Sequence, residues 1–424
     1  MGAVGWIDFS SDDRRRVQDV LALAKEAGTL DELGIGQLRD AYAEALFPGF
    51  STIQTRARYF LAIPKILCDW RDQSPAQRRR QRLEDYLAAQ ETSLAWHLTR
   101  NHARKRLSPE GIIGHTLVER GGVKRPPSTA YWAGLRVFGL VRTTKSLGEF
   151  LRRWGDDAAA LPAVLSDDGD DDAGPVPGGG VRRPPQSRGA WREDMTLELS
   201  PEEAGFLAER LSHPVQTGAS FPGAPVHDRK DTVVAQLLRT GLATGQQALD
   251  PALGSFATFS IWARQQSGLS EACRHTTAAA AQFSLAVEGA HILFNKAIAQ
   301  RARNGEHAEL LATCEQDFPR WREQALHAGV FHADAPRQWL QAVAVRSVKS
   351  ASREFLEQWN QALCAGESVA ALLRLVEAQA QRNKGKRSLL LRRPHSQLSW
   401  YGIRALDYRW PTARRMLLDI ERAG

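Results

Sequence analysis

The sequence predicts a mainly α-helical protein, with two helical domains joined by an acidic linker that is rich in proline and glycine. Apolar residues recur at helical spacing through long Ala- and Leu-rich stretches, above all between residues 230 and 383. A strong helix-start signal, SPEE at 200–203, precedes the second half of the chain. The 43% hydrophobic content and twelve tryptophans indicate packed cores. A chain of 424 residues exceeds one ordinary core, which favours two domains.

The first 155 residues contain a series of helix starts and stops. Serines or threonines precede several periodic stretches, and Gly28 and Pro48-Gly49 end two of them. Pro75 opens a long and very basic stretch. We predict helices at 10–28, 31–47, 51–63 and 75–106, a short one from 108, and one from 127.

The clearest domain boundary is a segment of unusual composition at 156–195. It begins with a run of aspartates and continues as AGPVPGGGVRRPPQSRG, which cannot bury much apolar surface. The predicted organisation is therefore a domain at 1–155, a flexible linker at 156–195 and a second domain at 196–424. The alternating segment MTLELS at 195–200 predicts a short strand at the start of the second domain.

Positive charge is concentrated at the C-terminal end of the chain. The last 46 residues contain eleven Lys and Arg against three acids, so they carry +8, which equals the formal charge of the whole chain. Charge this localised favours a polyanionic partner, above all nucleic acid. It does not by itself indicate a reaction.

Three elements have the composition of nucleic-acid contacts. In the first, residues 49–60, arginines and hydroxyl residues follow a Pro-Gly turn, which suits a recognition helix in which Gln54 reads base edges and Arg56 and Arg58 bind phosphate. The alternative is a partly buried helix whose arginines form ion pairs within the chain. Both interpretations remain open from the sequence.

The second element, residues 111–135, has a helix-turn-helix or winged-helix rhythm around a glycine-rich basic turn that contains Lys124 and Arg125. The alternative is that its aromatic residues are core and its basic turn is solvated.

The third element is the C-terminal tail, where aromatic residues from Trp400 to Trp410 alternate with bases. They could stack on unpaired bases while the cations neutralise phosphate. The alternative is a solvated basic surface beside a Trp-rich core. The tail bases expected to contact phosphate are Lys384, Lys386, Arg387, Arg392 and Arg393.

No catalytic motif stands out, and we expect no cofactor and no metal. There is no phosphate-binding GxxxxGK[ST] loop and no HExxH, and the four cysteines are isolated. Glu288, His291 and Asn295 share one helical face, where a satisfied core network is favoured over a metal half-site. If the protein is instead an unrecognised nuclease, scattered acids such as Asp8 and Asp40 would join Glu288 as ligands.

Several segments resemble a bacterial domain family of unknown function. They are GWIDF at 5–9, DELGIG at 31–36, LFPG at 46–49, STIQTRARY at 51–59, PS-YW-GL within 127–135 and LDYRW at 406–410. The resemblance covers most of the chain outside the linker. Members look like accessory proteins of anti-phage defence gene clusters, beside helicases and DNA methyltransferases, and the resemblance carries over no catalytic residues.

We therefore expect a non-enzymatic DNA-binding or adaptor subunit of a bacterial anti-phage defence complex. Its partners would be nucleic acid, with DNA favoured over RNA, and helicase or methyltransferase subunits. The first residues lack an apolar signal-peptide core and no stretch is apolar enough to span a bilayer, so we expect a cytoplasmic location and no membrane contact. A protein-interaction scaffold for an acidic partner is the further alternative.

Overall fold

The computed structural model describes residues 31–116, 126–156, 163–165, 180–186, 190–215, 232–302, 306–341, 348–392 and 399–424. Within these ranges the protein is mainly α-helical, as predicted, with fifteen α-helices and one small sheet. The helices are α1 (Gly36–Leu46), α2 (Arg58–Asp72), α3 (Pro75–Arg78), α4 (Leu83–Lys105), α5 (Pro127–Val137), α6 (Leu147–Asp156), α7 (Pro201–Ser212), α8 (Val233–Arg239), α9 (Phe256–Arg264), α10 (Glu271–Arg301), α11 (Ala308–His327), α12 (Ala335–Gln341), α13 (Ser350–Cys364), α14 (Val369–Lys384) and α15 (Trp410–Glu421). No described helix combines the length and the apolarity needed to cross a bilayer.

The sheet has three short strands, β1 (Val141–Arg142), β2 (Ala163–Leu165) and β3 (Gly180–Arg182), in the order β1-β3-β2. β3 pairs antiparallel with β1 and parallel with β2. Val141 and Val181 lie opposite each other and are both buried. β2 and β3 fall inside the segment 156–195 that was expected to be a flexible linker.

The described chain folds into two compact units, and each combines distant stretches of sequence. Unit 1 contains the described residues up to Tyr42 and those of Ala278–Leu406. Unit 2 contains Ala43–Thr277 and Asp407–Gly424. This division differs from the sequence-based one at residues 155 and 196.

The core of unit 1 is built around the long helix α10. Trp321 and Trp359 stack with ring centroids 5.9 Å apart, and their indole N–H groups donate to the carbonyls of Leu285 and Ala286 on α10. Gly289 lies beneath Trp321, where a Cβ would come within 2.2 Å of the ring. Close packing of the tryptophan against the helix therefore requires glycine at this position.

The core of unit 2 is rich in aromatic contacts between helices. Phe60 of α2 meets Tyr131 of α5 edge to face at 4.9 Å. At Gly134 a Cβ would lie 2.5 Å from the carbonyl oxygen of Gly49, so only glycine allows this approach. In the same unit, Trp410 of α15 is fully buried and stacks on Phe259 at 3.9 Å.

Several helix boundaries agree with the sequence and others do not. The capping box at Ser200 is present, because its hydroxyl accepts from the N–H of Glu203 and its own N–H donates to that carboxylate. The helix predicted from residue 51 begins only at Arg58, and the stretch 75–106 forms two helices with a break at 79–82. The helix predicted from 108 is replaced by turns, in which Gly111 and Gly114 adopt positive φ. The helix predicted at 10–28 lies outside the described residues.

The prediction of a strand at 195–200 is wrong, because this extended segment bonds to a helix and not to another strand. Alternate residues such as Leu197 and Leu199 are buried as the pattern implied. Their backbone, however, bonds to side chains of α4: Leu197 N–H donates to His102 Nε2 at 3.0 Å, and Asn101 donates to the carbonyl of Met195 at 2.9 Å. An extended segment packed on a helix produces the same alternation as a strand in a sheet.

Candidate nucleic-acid interface

Gln54, the expected base reader, lies in the interior of unit 2. Only 1% of it is exposed. Its side-chain amide donates to the carbonyls of Gly49 and Ala130 at 3.0 and 3.3 Å, and its oxygen accepts from the N–H of Ser51. The side chain holds the 49–55 loop against α5, so it presents no free edge to a base.

Arg56, expected to bind phosphate, forms an ion pair within unit 2. Its Nε donates to both carboxylate oxygens of Asp419 on α15, at 2.8 and 3.0 Å. The same carboxylate accepts the N–H of Ala57 at 2.8 Å. Asp419 is buried, so this pair anchors the start of α2 to α15.

Arg58 also forms an ion pair within unit 2, as part of a buried cluster of charged side chains. Its guanidinium donates to Glu203 at 2.5 Å, and Lys65 donates to the same carboxylate oxygen at 2.8 Å. All three side chains are at most 6% exposed. The alternative interpretation of residues 49–60, in which the arginines form ion pairs within the chain, therefore describes Arg56 and Arg58.

The second element also contributes to the core where it is described. Tyr131 and Leu135 of α5 are fully buried, and Trp132 and Phe138 are nearly so. The basic turn with Lys124 and Arg125 lies outside the described residues.

The aromatic residues of the tail are not a stacking surface. Tyr401, Tyr408 and Trp410 are each 3% exposed or less. Trp400 is half-buried, with the Arg404 guanidinium 5.1 Å from its ring centre. These buried tail aromatics are core residues, which agrees with the alternative of a Trp-rich core given for this element.

The bases that follow α14 have a different environment. Gly385, with φ +55°, ends α14, and a 3₁₀ turn at 385–387 follows. The backbone after this turn is anchored by two buried side chains. Ser388 donates its hydroxyl to Glu32 at 3.1 Å, and Leu390 is only 6% exposed. Before these anchors, Lys386 and Arg387 are exposed and Lys384 is half-buried, and after them Arg392 is exposed. Arg393 lies outside the described residues.

The loop 31–37 brings a second pair of bases to the same part of unit 1. Asn383, at the end of α14, donates to the carbonyls of Asp31 and Glu32. Ser352, at the start of α13, donates to the carbonyl of Gly34 at 2.5 Å. The loop therefore joins the C-terminal end of α14 to the N-terminal end of α13.

Lys349 and Arg353, which flank Ser352, are both exposed. We call these two residues, with the four described tail bases, the basic edge. Its members are Lys349, Arg353, Lys384, Lys386, Arg387 and Arg392. None of the six forms an ion pair with an acid in the described part of the chain.

Glu32, an acid that holds the backbone next to the basic edge, is largely withdrawn from solvent. Glu32 is 5% exposed and accepts from Ser388 and from the N–H of Leu389. Burial raises the pKa of Glu32, against the opposing effects of these hydrogen bonds and of Lys384. Glu32 is thus engaged inside unit 1, and the exposed Glu354 beside Arg353 pairs with Arg382 and not with a member of the basic edge.

The polar face singled out on α10 does not form a metal site within the described residues. Asn295 donates to the carbonyls of His291 and Tyr401 and accepts the N–H of Tyr401, so its own side chain is satisfied. Nδ1 of His291, in contrast, is buried without a hydrogen-bond partner among the described residues. Burial lowers the pKa of His291 to about 4. Glu288 is half-buried near Arg404.

The acids considered for a nuclease are also dispersed. Asp8 lies outside the described residues, and Asp40 pairs with Arg39 at the surface. Among the described residues, no three His, Cys, Asp or Glu side chains group closely enough to hold a metal ion. Cys68, Cys273 and Cys314 are buried, and Cys364 is exposed.

Lys349 and Arg353 are the members of the basic edge that the sequence did not indicate. They stand 31 residues or more before Lys384, in a segment of average charge. Only the hydrogen bonds of the 31–37 loop bring them to the tail bases. The only nearby signal in the sequence is the start of a helix at Ser350. A helix start does not predict that this helix lies next to the end of α14.

Comparisons with known proteins give a match for the N-terminal part of the chain alone. Residues 1–159 match the model of a family of unknown function (DUF6361). The expected resemblance covered most of the chain, whereas this match ends well before the tail bases. No curated protein and no solved structure matches the sequence. The comparisons do not connect the matched family with anti-phage defence.

Proposed function

We propose that the protein is a non-enzymatic DNA-binding or adaptor subunit, and that the basic edge of unit 1 holds the phosphate backbone. The observation that supports this most is the grouping of six bases around one anchored loop, without ion-pair partners among the described acids. Arg56 and Arg58, by contrast, are neutralised inside unit 2. Localised, unpaired positive charge is the electrostatic mark of a polyanion site.

The anchored backbone favours binding over a merely solvated basic surface. Ser388 and Leu390 fix the chain between Arg387 and Arg392, so little backbone freedom is lost there when phosphate binds. Contacts of this kind read charge and spacing, not sequence. Because Gln54 is buried, the proposed binding is largely independent of base sequence.

The cellular setting that we propose is a bacterial anti-phage defence complex with helicase or methyltransferase subunits. The resemblance of the N-terminal segments to accessory proteins of such gene clusters is its sole support. It also favours DNA over RNA as the ligand.

A second candidate is an interaction scaffold that docks an acidic protein at the basic edge. Leu391 favours this alternative, since it is 59% exposed beside Arg392. An exposed apolar residue among cations is typical of protein interfaces, in which charges surround an apolar contact.

Fluorescence-anisotropy titration of labelled DNA separates these candidates. The variant Lys386→Glu/Arg387→Glu should weaken binding about tenfold or more near physiological salt, because two phosphate contacts become repulsive. The matched control is Arg320→Glu/Arg374→Glu, which makes the same change in net charge at exposed positions of unit 1 outside the edge.

Equal losses in the two double variants would mean that DNA responds to net charge and not to the basic edge. Absence of DNA binding by the unaltered protein, together with salt-resistant capture of an acidic protein that Leu391→Ala weakens, would establish the scaffold instead.

A further inference from the structure

Among the tryptophans of unit 2 whose burial is described, Trp96 is the one that lies on the surface. Trp96, in the middle of α4, is 43% exposed. Trp70 is 2% exposed and Trp132 is 7% exposed in the same unit. Exposing an indole forgoes burial worth about 2 kcal/mol. Single exposed apolar residues are nevertheless common on proteins, so exposure alone does not make Trp96 a binding site.

The neighbours of Trp96 on α4 leave much of its ring uncovered. Thr92 and Thr99 are one helical turn away on either side, and both are short. Their hydroxyls are turned back to the helix, where they donate to the carbonyls of Ala88 and Ala95 at 3.0 and 2.8 Å. These short side chains therefore do not cover the indole, and they present methyl groups beside it.

Two further neighbours hold the indole in place. The His97 ring meets the Trp96 ring at 4.8 Å and 89°, an edge-to-face contact. The guanidinium carbon of Arg100 lies 5.1 Å from the Trp96 ring centre, in a cation–π arrangement. The indole is thus supported in a fixed orientation while almost half of it meets solvent.

Arg100 is a cation beside Trp96 that no described acid neutralises, whereas the nearby Arg192 pairs with Asp69 at 2.9 Å. Arg100 is exposed and has no ion pair with a described acid. Burial lowers the pKa of His97, and the charges of Arg192 and Arg100 lower it further, which places both guanidinium groups near this ring. The acids that face this region, Asp69 and Glu193, do not pair with Arg100.

We propose that Trp96 and Arg100 form a stacking site for an unpaired nucleobase, with Arg100 neutralising the adjoining phosphate. An exposed indole beside an unpaired guanidinium suits the flat face of a base and the charge of its backbone. A duplex hides its base faces and offers only phosphate at this surface. Trp96 therefore provides a preference for single strands that the basic edge does not.

The test compares a labelled oligothymidylate of about 20 nucleotides, longer than typical single-strand sites, with a duplex of equal length. Trp96→Ala should weaken binding of the single strand about 5-fold to 100-fold, as loss of one stacked base does, and leave duplex binding within about twofold. Trp96→Phe, which keeps an aromatic ring, should retain most of the affinity. Ile261→Ala is the matched control, since Ile261 is an exposed apolar residue of the same unit.

The inference is overturned if Trp96→Ala binds oligothymidylate as tightly as Ile261→Ala does, or if it weakens duplex and single strand equally. The first result would leave Trp96 as a contact for a protein partner. An experiment that disproves the stacking site at Trp96 can be told apart from one that disproves phosphate binding at the basic edge. Charge reversal at Lys386 and Arg387 should change the salt dependence for both forms of DNA, whereas Trp96→Ala should leave that dependence unchanged.

Discussion

Replacing Glu203 by glutamine should lower the free energy of unfolding by about 3 kcal/mol, because it leaves two buried cations without a counter-charge. Glu203 is 2% exposed and its Oε1 accepts from both Arg58 and Lys65, at 2.5 and 2.8 Å. Removing one partner of a buried ion pair costs about 3–5 kcal/mol in other proteins. Glutamine can still complete the capping box with Ser200 through its carbonyl oxygen, which places its NH2 group toward Arg58 and Lys65.

Charge, and not loss of the helix cap, is therefore what this variant tests. The matched control is Glu202→Gln, at an exposed position in the same turn of α7. Surface changes of this kind stay within about 0.5 kcal/mol. Urea unfolding should show a clearly lower midpoint for Glu203→Gln with an unchanged slope. Equal midpoints for the two variants would refute the claim that this cluster stabilises unit 2.

The same cluster has a predictable dependence on pH. Burial raises the pKa of Glu203, but the charges of Arg58 and Lys65 outweigh burial and leave that pKa below its ordinary value of 4.5. Its stabilisation is thus present above that ordinary value and is lost as pH falls through the lower, folded-state pKa. The difference between Glu203→Gln and the unaltered protein should accordingly shrink in acid.

Two further predictions concern single buried sites. Burial raises the pKa of Glu91 to about 7 from 4.5, so its contribution to stability is present below the ordinary value and falls by about 3 kcal/mol as pH rises through 7. Glu91→Gln should remove that fall in urea unfolding between about pH 5 and pH 8, and the exposed Glu84→Gln should not; an unchanged pH dependence would contradict this. Gly289→Ala should lower the thermal midpoint by several degrees, because its Cβ would meet Trp321 at 2.2 Å. Gly205→Ala, with nothing within 4 Å, should raise or preserve it; similar effects of both would exclude the clash as the cause.

Features that depend on neighbouring residues could be predicted from the sequence. The capping box at Ser200 is an example, because its donors and acceptors are three residues apart. The helical periodicity of residues 230–383 is another, since the apolar face of a helix repeats whatever it packs against. The end of α1 before Pro48-Gly49 follows from backbone restrictions alone.

Features that depend on distant partners could not be predicted. Arg56 and Asp419 are 363 residues apart, and Arg58 and Glu203 are 145 apart. Nothing in the local composition of residues 49–60 distinguishes an arginine that binds phosphate from one that pairs with a remote carboxylate. Trp410 likewise resembles a stacking residue in a basic tail until Phe259 covers it.

Some residues of the basic edge could be predicted from the sequence and others could not. The charge of Lys386, Arg387 and Arg392 was visible in the sequence, because exposed bases need no partner to be recognised. The contribution of Lys349 and Arg353 depends on the loop that joins α13 to α14 in space. The expectation of a polyanionic partner therefore comes from charge in the sequence, whereas the structure was needed to group the residues.

The most direct test of the central claim is the salt dependence of DNA binding in the unaltered protein and in Lys386→Glu/Arg387→Glu. We predict a linear log–log plot whose slope for the unaltered protein is about −4 or steeper, since each neutralised phosphate contributes about −0.9. The double variant should have a slope shallower by about 2, because it loses two such contacts. Identical slopes, or binding no stronger than that of an ordinary basic protein, would contradict the assignment of the basic edge as a phosphate-binding surface.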